Sequence, residues 1–415
     1  SLEIMIYKKI KNCRICRSKN LQTVLNLGSL ALTGKFPISS KKNILKTPLS
    51  ISICKNCKFV QLSHDFDNSY LYNLEYGYES GINSTMKNHL SKIAKKVSKI
   101  KKLTKKSVVV DIASNDGTLL NSYNKNIVKV GIDPILNRFK KNYKNIKYKI
   151  PDFFSYNKFK NLKLKKKADV ITAFAVFYDI NNPNDFLSDI KKCLDKKGIF
   201  VIEQSNLAHM IKLNSFDTIC QEHLGYYSTN VIKALIERNE LKIFDHEYNK
   251  SNGGSSRYYI THKENNKIKV KNKNIYNALK FEEKFKLGDI KTYVKFEQNI
   301  KKIKIQCKKK IDSILKSNKT IHGYGGSTKG NVILQYFNIN NKNIKFISDR
   351  NPFKFNRYTP GTKIKIISEK KSRNLKPNYY FVLPWHFKKE ILKRETKIRK
   401  KNTKFIFPLP KFSIF

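Results

Sequence analysis

The stretch DTICQEHLGYYS, residues 217–228, concentrates side chains that can move protons or bind metals. Glu222 directly precedes His223, Cys220 lies just upstream, and two tyrosines follow. An imidazole is suited to general acid–base work near neutral pH, and it is also a common metal ligand. Neither helical nor strand spacing places all of these side chains on one face. We interpret the stretch as a loop that is catalytic, metal-binding or simply solvated, with His223 hydrogen-bonded to Glu222 in the last case.

Four cysteines occur as two C-x-x-C pairs, CRIC and CKNC. Each pair can place two thiolates on one tight turn, and two such turns complete a tetrahedral zinc site. An all-cysteine set is typical of a structural ion rather than a catalytic one. We therefore predict a structural Zn2+ in a metal-dependent N-terminal domain, bound by Cys13, Cys16, Cys54 and Cys57. The odd total of seven cysteines argues against a disulfide framework and favours a reducing, cytoplasmic location.

Another group of candidate residues surrounds DIASNDG, residues 111–117, which we call the cofactor turn. The buried β-branched run VVVDI leads into it, and TLLNSY then begins a predicted helix. Small residues let the backbone approach a ligand, and the amides at a helix N-terminus can face a carboxylate. A second acid, Asp133, ends the next predicted strand, where it could accept hydrogen bonds from a ribose.

An acid at position 133 fits both NAD and S-adenosylmethionine. The cofactor turn has no G-x-G-x-x-G, and Asn115 and Asp116 would obstruct and repel a pyrophosphate. These side chains instead suit the zwitterionic amino-acid tail of S-adenosylmethionine. We therefore predict S-adenosylmethionine as the cofactor, bound by Asp111, Ser114, Asn115, Asp116, Gly117, Asp133, Pro134, Ala173 and Phe174.

A second small-residue turn, HGYGGSTKGN at residues 322–331, is called the glycine turn below. Its glycines are followed by Ser327, Thr328 and Lys329 at a predicted helix start, an arrangement that can cradle a phosphate. The spacing is not that of a Walker A motif, and a tight turn packed only for geometry is the alternative.

The elements that must position these groups follow from an alternation of strands and helices. VVVDI, VKVGI, ADVITAF and GIFVIEQS predict four strands of a doubly wound parallel sheet. Residues 265–318 predict a long connecting helix or hairpin, and strand–turn–helix patterns then recur. The predicted fold is α/β, with a zinc-binding domain at 1–68, a class I methyltransferase Rossmann-like domain at 69–262 and a smaller Rossmann-like α/β domain at 263–415.

Composition limits the remaining possibilities. The 415 residues are 40% hydrophobic, enough for folded cores, and the formal net charge is +54. Only ten of the 85 basic residues are arginine, and the lysines are spread over the whole chain instead of forming a patch. This pattern is weak evidence for nucleic-acid binding, although it would also attract a small anionic substrate. No run of about 18 apolar residues predicts a membrane helix.

Together these stretches resemble the three-domain, S-adenosylmethionine-dependent C-methyltransferases that act on nucleotide-linked keto-deoxysugars. The resemblance runs nearly end to end and rests on the order and spacing of its motifs. They are CRIC…CKNC, YGYESGINSTMKNH, DIASNDGTLL, FYDI, EQS, FDTICQEHLGYYS, NGGSSRYY, HGYGGSTKGN, SDRNPFK, TPGTKI, VLPWHF and the closing PLP. It implies a zinc domain, a class I methyltransferase domain and a C-terminal α/β domain that helps to hold the nucleotide.

The resemblance also implies a chemistry, in which removal of a proton beside a ketone gives an enolate that takes the methyl group. It makes His223 the base, with Glu222 orienting the imidazole or contacting a sugar hydroxyl. Tyrosines before the methyltransferase sheet, here Tyr76 and Tyr78, are expected in the site. The expected substrate contacts are Tyr178, Asn252, Ser327, Thr328 and Lys329.

Some positions depart from the family pattern. Similar proteins can carry a tyrosine at the position of Cys220, a histidine at that of Tyr178 and often a histidine at that of Gln221, so these roles stay open. Ala113 replaces the usual glycine of the cofactor turn, which we expect to be tolerated if its φ stays negative.

The predicted function is therefore S-adenosylmethionine-dependent C-methylation of a nucleotide-linked keto-deoxysugar for deoxysugar, polysaccharide or glycoside biosynthesis. The alternatives are an RNA methyltransferase that grips RNA with its zinc turns, a sugar O- or N-methyltransferase, and a zinc-dependent scaffold without activity. An NPPY-type loop, frequent in RNA amino-methyltransferases, is replaced by EQSNL. We expect a nucleotide-sugar partner, no nucleic acid, no membrane insertion, and a monomer rather than an oligomer.

Overall fold

The structure is a computed structural model that describes residues 6–72, 78–82 and 84–415. Within these residues, sheets of four, seven and six strands succeed one another along the chain, beside one two-stranded sheet. The order follows the three predicted domains.

The N-terminal part is built on an antiparallel sheet. Its elements are β1 (Tyr7–Lys9), β2 (Leu21–Ala31), β3 (Lys46–Cys54), β4 (Val60–Leu62), β5 (His64–Phe66) and α1 (Asn68–Leu71). The first cysteine pair precedes β2 and the second begins at the end of β3. Because β2 and β3 pair antiparallel with Leu21 opposite Cys54, the hairpin brings the two C-x-x-C turns together.

The central part is a twisted sheet with helices on both faces. Its elements are α2 (Ser84–Lys101), β6 (Val108–Ile112), α3 (Thr118–Asn121), β7 (Val128–Ile132), β8 (Tyr148–Ile150), α4 (Tyr156–Lys160), β9 (Ala168–Phe174), α5 (Pro183–Cys193), β10 (Leu194–Ser205), α6 (Leu207–Lys212), β11 (Gly225–Tyr226), α7 (Thr229–Arg238), β12 (Leu241–Asn249) and β13 (Ser255–His262). The sheet order is β12-β13-β10-β9-β6-β7-β8. Strands β6 to β10 run parallel and β13 is antiparallel to its neighbours, so the carboxyl ends of β6, β7, β9 and β10 meet at one edge.

The C-terminal part begins with a helical hairpin and ends with a smaller, mostly parallel sheet. Its elements are α8 (Asn272–Glu283), α9 (Ile290–Lys316), β14 (Ile321–Tyr324), α10 (Thr328–Tyr336), β15 (Phe346–Asp349), β16 (Lys365–Ser368), α11 (Glu369–Asn374), β17 (Tyr379–Val382), α12 (Lys388–Arg394), α13 (Thr396–Arg399), β18 (Lys404–Phe407) and β19 (Ser413–Ile414). The strand order is β16-β15-β14-β17-β18-β19, with only β19 antiparallel.

The three parts share their hydrophobic cores. One cluster joins Leu25 and Ile51 of the N-terminal sheet to Ile300 of α9 and Val332 of α10. A second cluster joins Phe59, beside the second cysteine pair, to the central sheet. In addition, β11 leaves the central domain and pairs with β4 at the edge of the N-terminal sheet. The N-terminal domain is therefore wedged between the other two.

The predicted α/β class and the doubly wound sheet are confirmed. Residues 265–318, predicted as a long helix or a hairpin, form the hairpin of α8 and α9. Short strands such as β8, β16 and β19 escaped the sequence reading because two to four residues carry little periodic signal. In the described part of the chain, no helix combines the length and the apolar character needed to cross a bilayer.

Candidate active site

Four sulfur atoms lie together where the two C-x-x-C turns meet. All four Sγ atoms are within 4.8 Å of one another, with Cys13 3.6 Å from Cys57 and Cys16 3.5 Å from Cys54. A tetrahedral ion with Zn–S bonds of about 2.3 Å needs sulfur–sulfur separations of about 3.8 Å. The four predicted ligands therefore fit a structural Zn2+, and an all-sulfur set leaves no position for substrate.

The backbone closes both zinc turns in the same way. The amide of Arg17 donates to the carbonyl of Cys13 at 3.0 Å, and the amide of Lys58 donates to that of Cys54 at 2.9 Å. Both residues that follow a second cysteine are left-handed, with φ of 64° for Arg17 and 63° for Lys58. The equivalence of the two turns supports one shared ion between them.

The carboxyl ends of β6, β7 and β9 open onto a cavity of about 400 Å3. Its wall contains most of the residues predicted to hold the cofactor, namely Asp111, Ser114, Asn115, Asp133, Pro134 and Phe174. Three other predicted cofactor residues, Asp116, Gly117 and Ala173, are not part of this wall. Gly117 instead begins α3 with a φ of 76°.

The cofactor turn is locked to the end of the next strand. One carboxylate oxygen of Asp133 accepts from the Asn115 amide at 2.9 Å, and the other accepts from the Ile135 amide at 2.8 Å. The negative φ on which the tolerance of Ala113 was conditioned is not found, because its φ is 57°. The chain must reverse at once for the Ser114 amide to reach the Ile132 carbonyl at 3.1 Å, and this places Ala113 in a region that favours glycine.

The polar side chains of the cofactor turn hold the segment before α2. Asn115 Oδ1 accepts from the Ser80 amide at 2.9 Å, and Asp116 Oδ2 accepts from the Gly81 amide at 2.6 Å. Asn115 Nδ2 also donates to the carbonyl of Tyr78 at 3.2 Å, and Tyr78, one of the predicted site tyrosines, is part of the cavity wall. Tyr76, the other one, falls outside the described residues.

The cavity is acidic although the chain carries a large positive charge. Its wall includes the carboxylates Asp111, Asp133, Asp152, Asp179, Asp185, Asp189 and Glu203. Burial raises the pKa of Asp111 to about 7 and raises the pKa of Asp133 and, strongly, that of Asp179. A bound cation would stabilise the charged forms of these acids, so the wall fits the sulfonium and ammonium groups of S-adenosylmethionine.

Sequence reasoning missed two residues at the end of β10. Burial raises the pKa of Glu203, but a 2.5 Å contact with His89 Nε2 and a 2.7 Å contact with Arg257 outweigh burial and lower it overall. Gln204 follows with 2% exposure, and neither of its amide atoms has a hydrogen-bond partner within the described part of the chain. The motif EQS, residues 203–205, contains both residues and was the sequence signal that could have pointed to them.

His223 lies in the loop between α6 and β11. Its Nδ1–H donates to the carbonyl of Thr218 at 2.5 Å, which fixes the tautomer and leaves Nε2 as the acceptor. The ring lies against Tyr178, with 4.3 Å between centroids. Burial and then the charge of Lys329 lower the pKa of His223 to about 4, so the imidazole is neutral near neutral pH.

The Nδ1–H of His223 is held by the Thr218 carbonyl and not by Glu222. Burial raises the pKa of Glu222, and its neighbours are Cys220, Thr33 and Lys35. Its Oε2 is buried without a hydrogen-bond partner among the described residues. The predictions that Glu222 orients the imidazole or contacts a sugar hydroxyl stay open, and the solvated-turn interpretation does not fit a loop in which Cys220, Gln221 and Glu222 are buried.

The loop is tied to the N-terminal domain on its other side. The Gln221 side-chain oxygen accepts from the Thr33 amide at 3.3 Å, and its nitrogen donates to the Leu30 carbonyl at 3.2 Å. From the C-terminal domain, Asn331 donates to the Thr33 carbonyl at 2.7 Å. Gln221 is thus a connecting residue, a role that no local pattern indicates.

The glycine turn approaches the same loop from the C-terminal domain. Burial lowers the pKa of His223 and His386 and raises that of Asp217, and the Lys329 charge adds to the lowering at the two histidines and opposes the rise at Asp217. Trp385 Nε1 donates to Asp217 at 2.8 Å, which couples the two domains.

The other predicted substrate residues lie near these domain boundaries or on the adjoining turns. Ser327 accepts from the Gly330 amide at 3.0 Å and so caps α10, and Thr328 is the first residue of that helix. Tyr178 lines a small recess with His223. Asn252 lies in the turn between β12 and β13, and its side chain is outside the described part of the structure.

Three family models match successive parts of the chain. A zinc binding domain model matches residues 13–72, a methyltransferase domain model matches 82–246, and a C-methyltransferase C-terminal domain model matches 250–410. Among individual proteins, the C-methyltransferase NovU of Streptomyces niveus is 25% identical over 410 residues, which cover 98% of this chain and 97% of that protein.

Solved structures resemble part of the chain. An S-adenosylmethionine-dependent methyltransferase from Clostridium acetobutylicum is 13% identical, with a TM-score of 0.34 over 42% of this chain and 92% of that one. The mitomycin 7-O-methyltransferase MmcR is 12% identical, with a TM-score of 0.33 over 43% of this chain and 54% of that one. The predictions of an S-adenosylmethionine-dependent methyltransferase and of a zinc-binding domain are confirmed by the family models and the four-cysteine cluster.

Proposed function

Because this chain belongs to the three-domain C-methyltransferases, we propose that it methylates a ring carbon of a nucleotide-linked keto-deoxysugar with His223 as the base. The observation that carries this proposal is the state of His223. Its Nδ1–H is held by the Thr218 carbonyl at 2.5 Å, so Nε2 is left to accept a proton.

The chemistry needs a carbon acid, and this is why a ketone is part of the proposal. S-adenosylmethionine supplies an electrophilic methyl group when it is bound. His223 Nε2 takes the proton from the carbon beside the carbonyl, and the electron pair of that C–H bond moves through carbon onto the carbonyl oxygen. The enolate carbon would then take the methyl group as the C=O bond re-forms, the electron pair of the broken S–CH3 bond would stay on the sulfur of the departing S-adenosylhomocysteine, and the imidazolium would release its proton to solvent.

The low pKa of His223 also fits an anionic substrate. Without substrate, burial and the Lys329 charge hold the pKa at about 4. A diphosphate close to Lys329 would offset that positive charge and raise the basicity of His223. The base would therefore be strengthened when substrate is bound, which favours proton transfer in the complex.

The cationic cofactor and the anionic nucleotide-sugar differ in charge, and the charges of the protein differ correspondingly. The acidic cavity suits a cationic cofactor, whereas the charges of Lys35 and Lys329 act on Glu222 and His223, and neither lysine is part of the cavity wall. Opposite charges at the cavity and at the His223 loop favour a cationic cofactor in the first place and an anionic substrate in the second. The identity of the sugar substrate needs a direct test.

The test incubates the protein with S-adenosylmethionine and a panel of nucleotide-linked keto-deoxysugars in deuterated water. A C-methylated product should be heavier by one methylene, apart from deuterium at enolisable positions. His223→Gln should lower turnover by about 100-fold or more, the usual contribution of a general base. Cofactor affinity, measured by calorimetry, should change little in this variant.

His246→Gln is the matched control. Burial lowers the pKa of His246 to about 4, as it does for His223, but His246 lies on the edge strand β12. Its replacement should leave turnover within about twofold of the starting protein, as expected for a site without transition-state contact. Equal losses in both variants, or full activity of His223→Gln, would exclude His223 as the base.

A further inference from the structure

We propose that Arg14, in the first zinc turn, is a positioning residue that anchors the loop carrying the proposed base. This inference rests on the proposed role of His223, and it gives the zinc domain a task beyond its own folding. Arg14 stands between the ligands Cys13 and Cys16, so a bound ion would fix its backbone.

The guanidinium of Arg14 is 3% exposed and is surrounded by acceptors. Nη1 donates to the Leu62 carbonyl at 2.6 Å, to Gln61 Oε1 at 3.3 Å and to the Leu224 carbonyl at 3.4 Å. Nη2 donates to the His64 carbonyl at 2.9 Å and to Asp65 Oδ1 at 2.6 Å. The Arg14 amide itself donates to Gln61 Oε1 at 3.0 Å.

These contacts link the first zinc turn to the His223 loop, because β4 pairs with the strand that follows His223. The Leu62 amide donates to the Leu224 carbonyl at 2.9 Å, and β11 pairs with β4 so that Gly225 lies opposite Gln61. Arg14 therefore holds both β4 and the Leu224 carbonyl, which directly precedes the strand β11 that β4 pairs with. His223 is the residue directly before Leu224, so its position depends on this pairing.

The close fit of the neighbouring residues leaves little room for the loop to move independently. A Cβ on Gly225 would lie 2.5 Å from Cε2 of Tyr227 and 2.8 Å from Cζ of Phe59. The rings of Phe59 and Tyr227 are themselves in contact, with 4.7 Å between centroids. Phe59 follows the second zinc turn by two positions, so both zinc turns support the strand after His223.

The chemistry of the anchor requires arginine. Its planar fork serves several carbonyls in fixed directions, whereas the ammonium of lysine is a point charge on a flexible stem. A displacement of about 1 Å at a catalytic group can cost about 100-fold in rate. Loss of this anchor should consequently reduce catalysis even when zinc and cofactor still bind.

Arg238 provides a matched control because it also contacts the first zinc turn. Its Nη1 donates to the Ile15 carbonyl at 3.0 Å, but its backbone belongs to α7 and not to the His223 loop. Replacing Arg238 should therefore test general support of the zinc turn without removing the loop anchor.

The experiment compares Arg14→Lys and Arg14→Gln with Arg238→Lys and Arg238→Gln in the zinc-loaded protein. Zinc content is measured by elemental analysis and S-adenosylmethionine affinity by calorimetry. The imidazole signals of histidine labelled with 15N are recorded by NMR, with His223→Asn used to identify the His223 signal. This readout needs no sugar substrate.

We expect the Arg14 variants to keep zinc and cofactor binding while the Nδ1 proton of His223 loses its protection and exchanges about tenfold faster or more, as local opening requires. With an accepted keto-sugar, kcat should fall by about 100-fold with little change in the KM for cofactor. The Arg238 variants should show neither effect.

An unchanged His223 signal in an Arg14 variant that keeps zinc would overturn the proposal, as would the same change in the Arg238 variants. If the Arg14 variants do not fold, Asp65→Asn weakens the same anchor at Nη2 and should cause a smaller change of the same kind; no change there would also overturn it. Failure to methylate any keto-sugar would instead contradict the proposed function and leave the NMR comparison decisive for the anchor.

Discussion

Two strand–turn–helix units in this chain are built alike, and the first of them opens onto the cavity of about 400 Å3. In the central domain the cofactor turn follows β6, and Asp133 after β7 accepts from the Asn115 amide at 2.9 Å. In the C-terminal domain the glycine turn follows β14, and Asp349 at the end of β15 accepts from the Gly326 amide at 2.7 Å. Both units thus lock a small-residue turn to the acid of the next strand.

The surroundings of the two acids differ. Asp133 lines the cavity of about 400 Å3, beside other carboxylates. Above the glycine turn, Lys354 Nζ donates to the Gly326 carbonyl at 2.6 Å and lies 4.0 Å from Asp349. Pro384 closes the other side, since a Cβ on Gly325 would lie 2.8 Å from its ring.

The comparison indicates that a small-residue turn locked to an acid can hold a cationic cofactor only under two conditions. The space beyond the strand ends must be open, and no lysine or arginine side chain may occupy it. In the second unit, Lys354 and Pro384 occupy this space. Four changes would break or sharpen this comparison.

The largest effect is expected on cofactor affinity when Asp133 is replaced, with Asp349 as the matched control. Asp133→Asn should weaken S-adenosylmethionine binding by about 10- to 100-fold, because hydrogen bonds to a charged group are worth about 1.5–3 kcal/mol. Asp349→Asn should leave this affinity unchanged. Isothermal titration calorimetry of both variants is the measurement, and equal weakening in the two would contradict the comparison.

The glycine turn should respond strongly to added bulk. Gly325→Ala combines a φ of 79° with the contact to Pro384, so we expect it to lower the free energy of unfolding by about 2 kcal/mol. Gly28→Ala is the control, because its φ is 84° but nothing lies within 4 Å of the added Cβ. It should cost only about 1 kcal/mol. Denaturant unfolding that gives equal losses would show that Pro384 does not fill the turn.

The cofactor turn should respond in the opposite direction. Ala113→Gly relieves a φ of 57°, so the free energy of unfolding should rise by up to about 1 kcal/mol. Ala173→Gly, in the buried strand β9, is expected to lower it by about 0.5–1 kcal/mol. A loss of stability in Ala113→Gly, measured in the same way, would mean that its left-handed conformation carries no strain.

The smallest effect is a fraction of a proton. The pKa of Asp111 is about 7 because of burial, so about half of the carboxyls are protonated at pH 7. A bound cation should lower this pKa and release up to about half a proton. Calorimetry in two buffers of different ionisation enthalpy measures the release, which should vanish in Asp111→Asn and persist in Asp349→Asn.

The same acid should also give the free protein a pH-dependent stability. Between about pH 4 and 7, folded Asp111 keeps a proton that the unfolded chain has lost, so its contribution to stability falls as the pH rises through this window. Asp111→Asn removes the titrating group, and its melting temperature should gain more over the starting protein at pH 8 than at pH 5. A constant difference between the two proteins would contradict the raised pKa.

Much of the fold could be predicted where the signal is local. The β-branched run of VVVDI favours a buried strand, and the C-x-x-C spacing itself limits how two thiols can meet one ion. The chemistry of the His223 loop came from resemblance, because a single EH pair has several ordinary explanations. Its solvated interpretation failed because the loop is covered by two other domains.

Other features depend on distant contacts and leave no local trace. The φ of Ala113 is decided by where β7 ends, and Gln204 is distinguished by the cavity beside it. Gln221 could not be assigned because its partners lie in the N-terminal domain.

The sequence by itself determined the zinc ligands, the first strands of the central sheet and the two turns, because these depend on spacing and periodicity within a few residues. Only the tertiary structure decided which turn faces an open cavity and which is covered by Lys354. It also decided that Arg14 reaches Leu224, 210 residues away. Such contacts arise when separate elements share one core, so no short stretch of sequence can carry them.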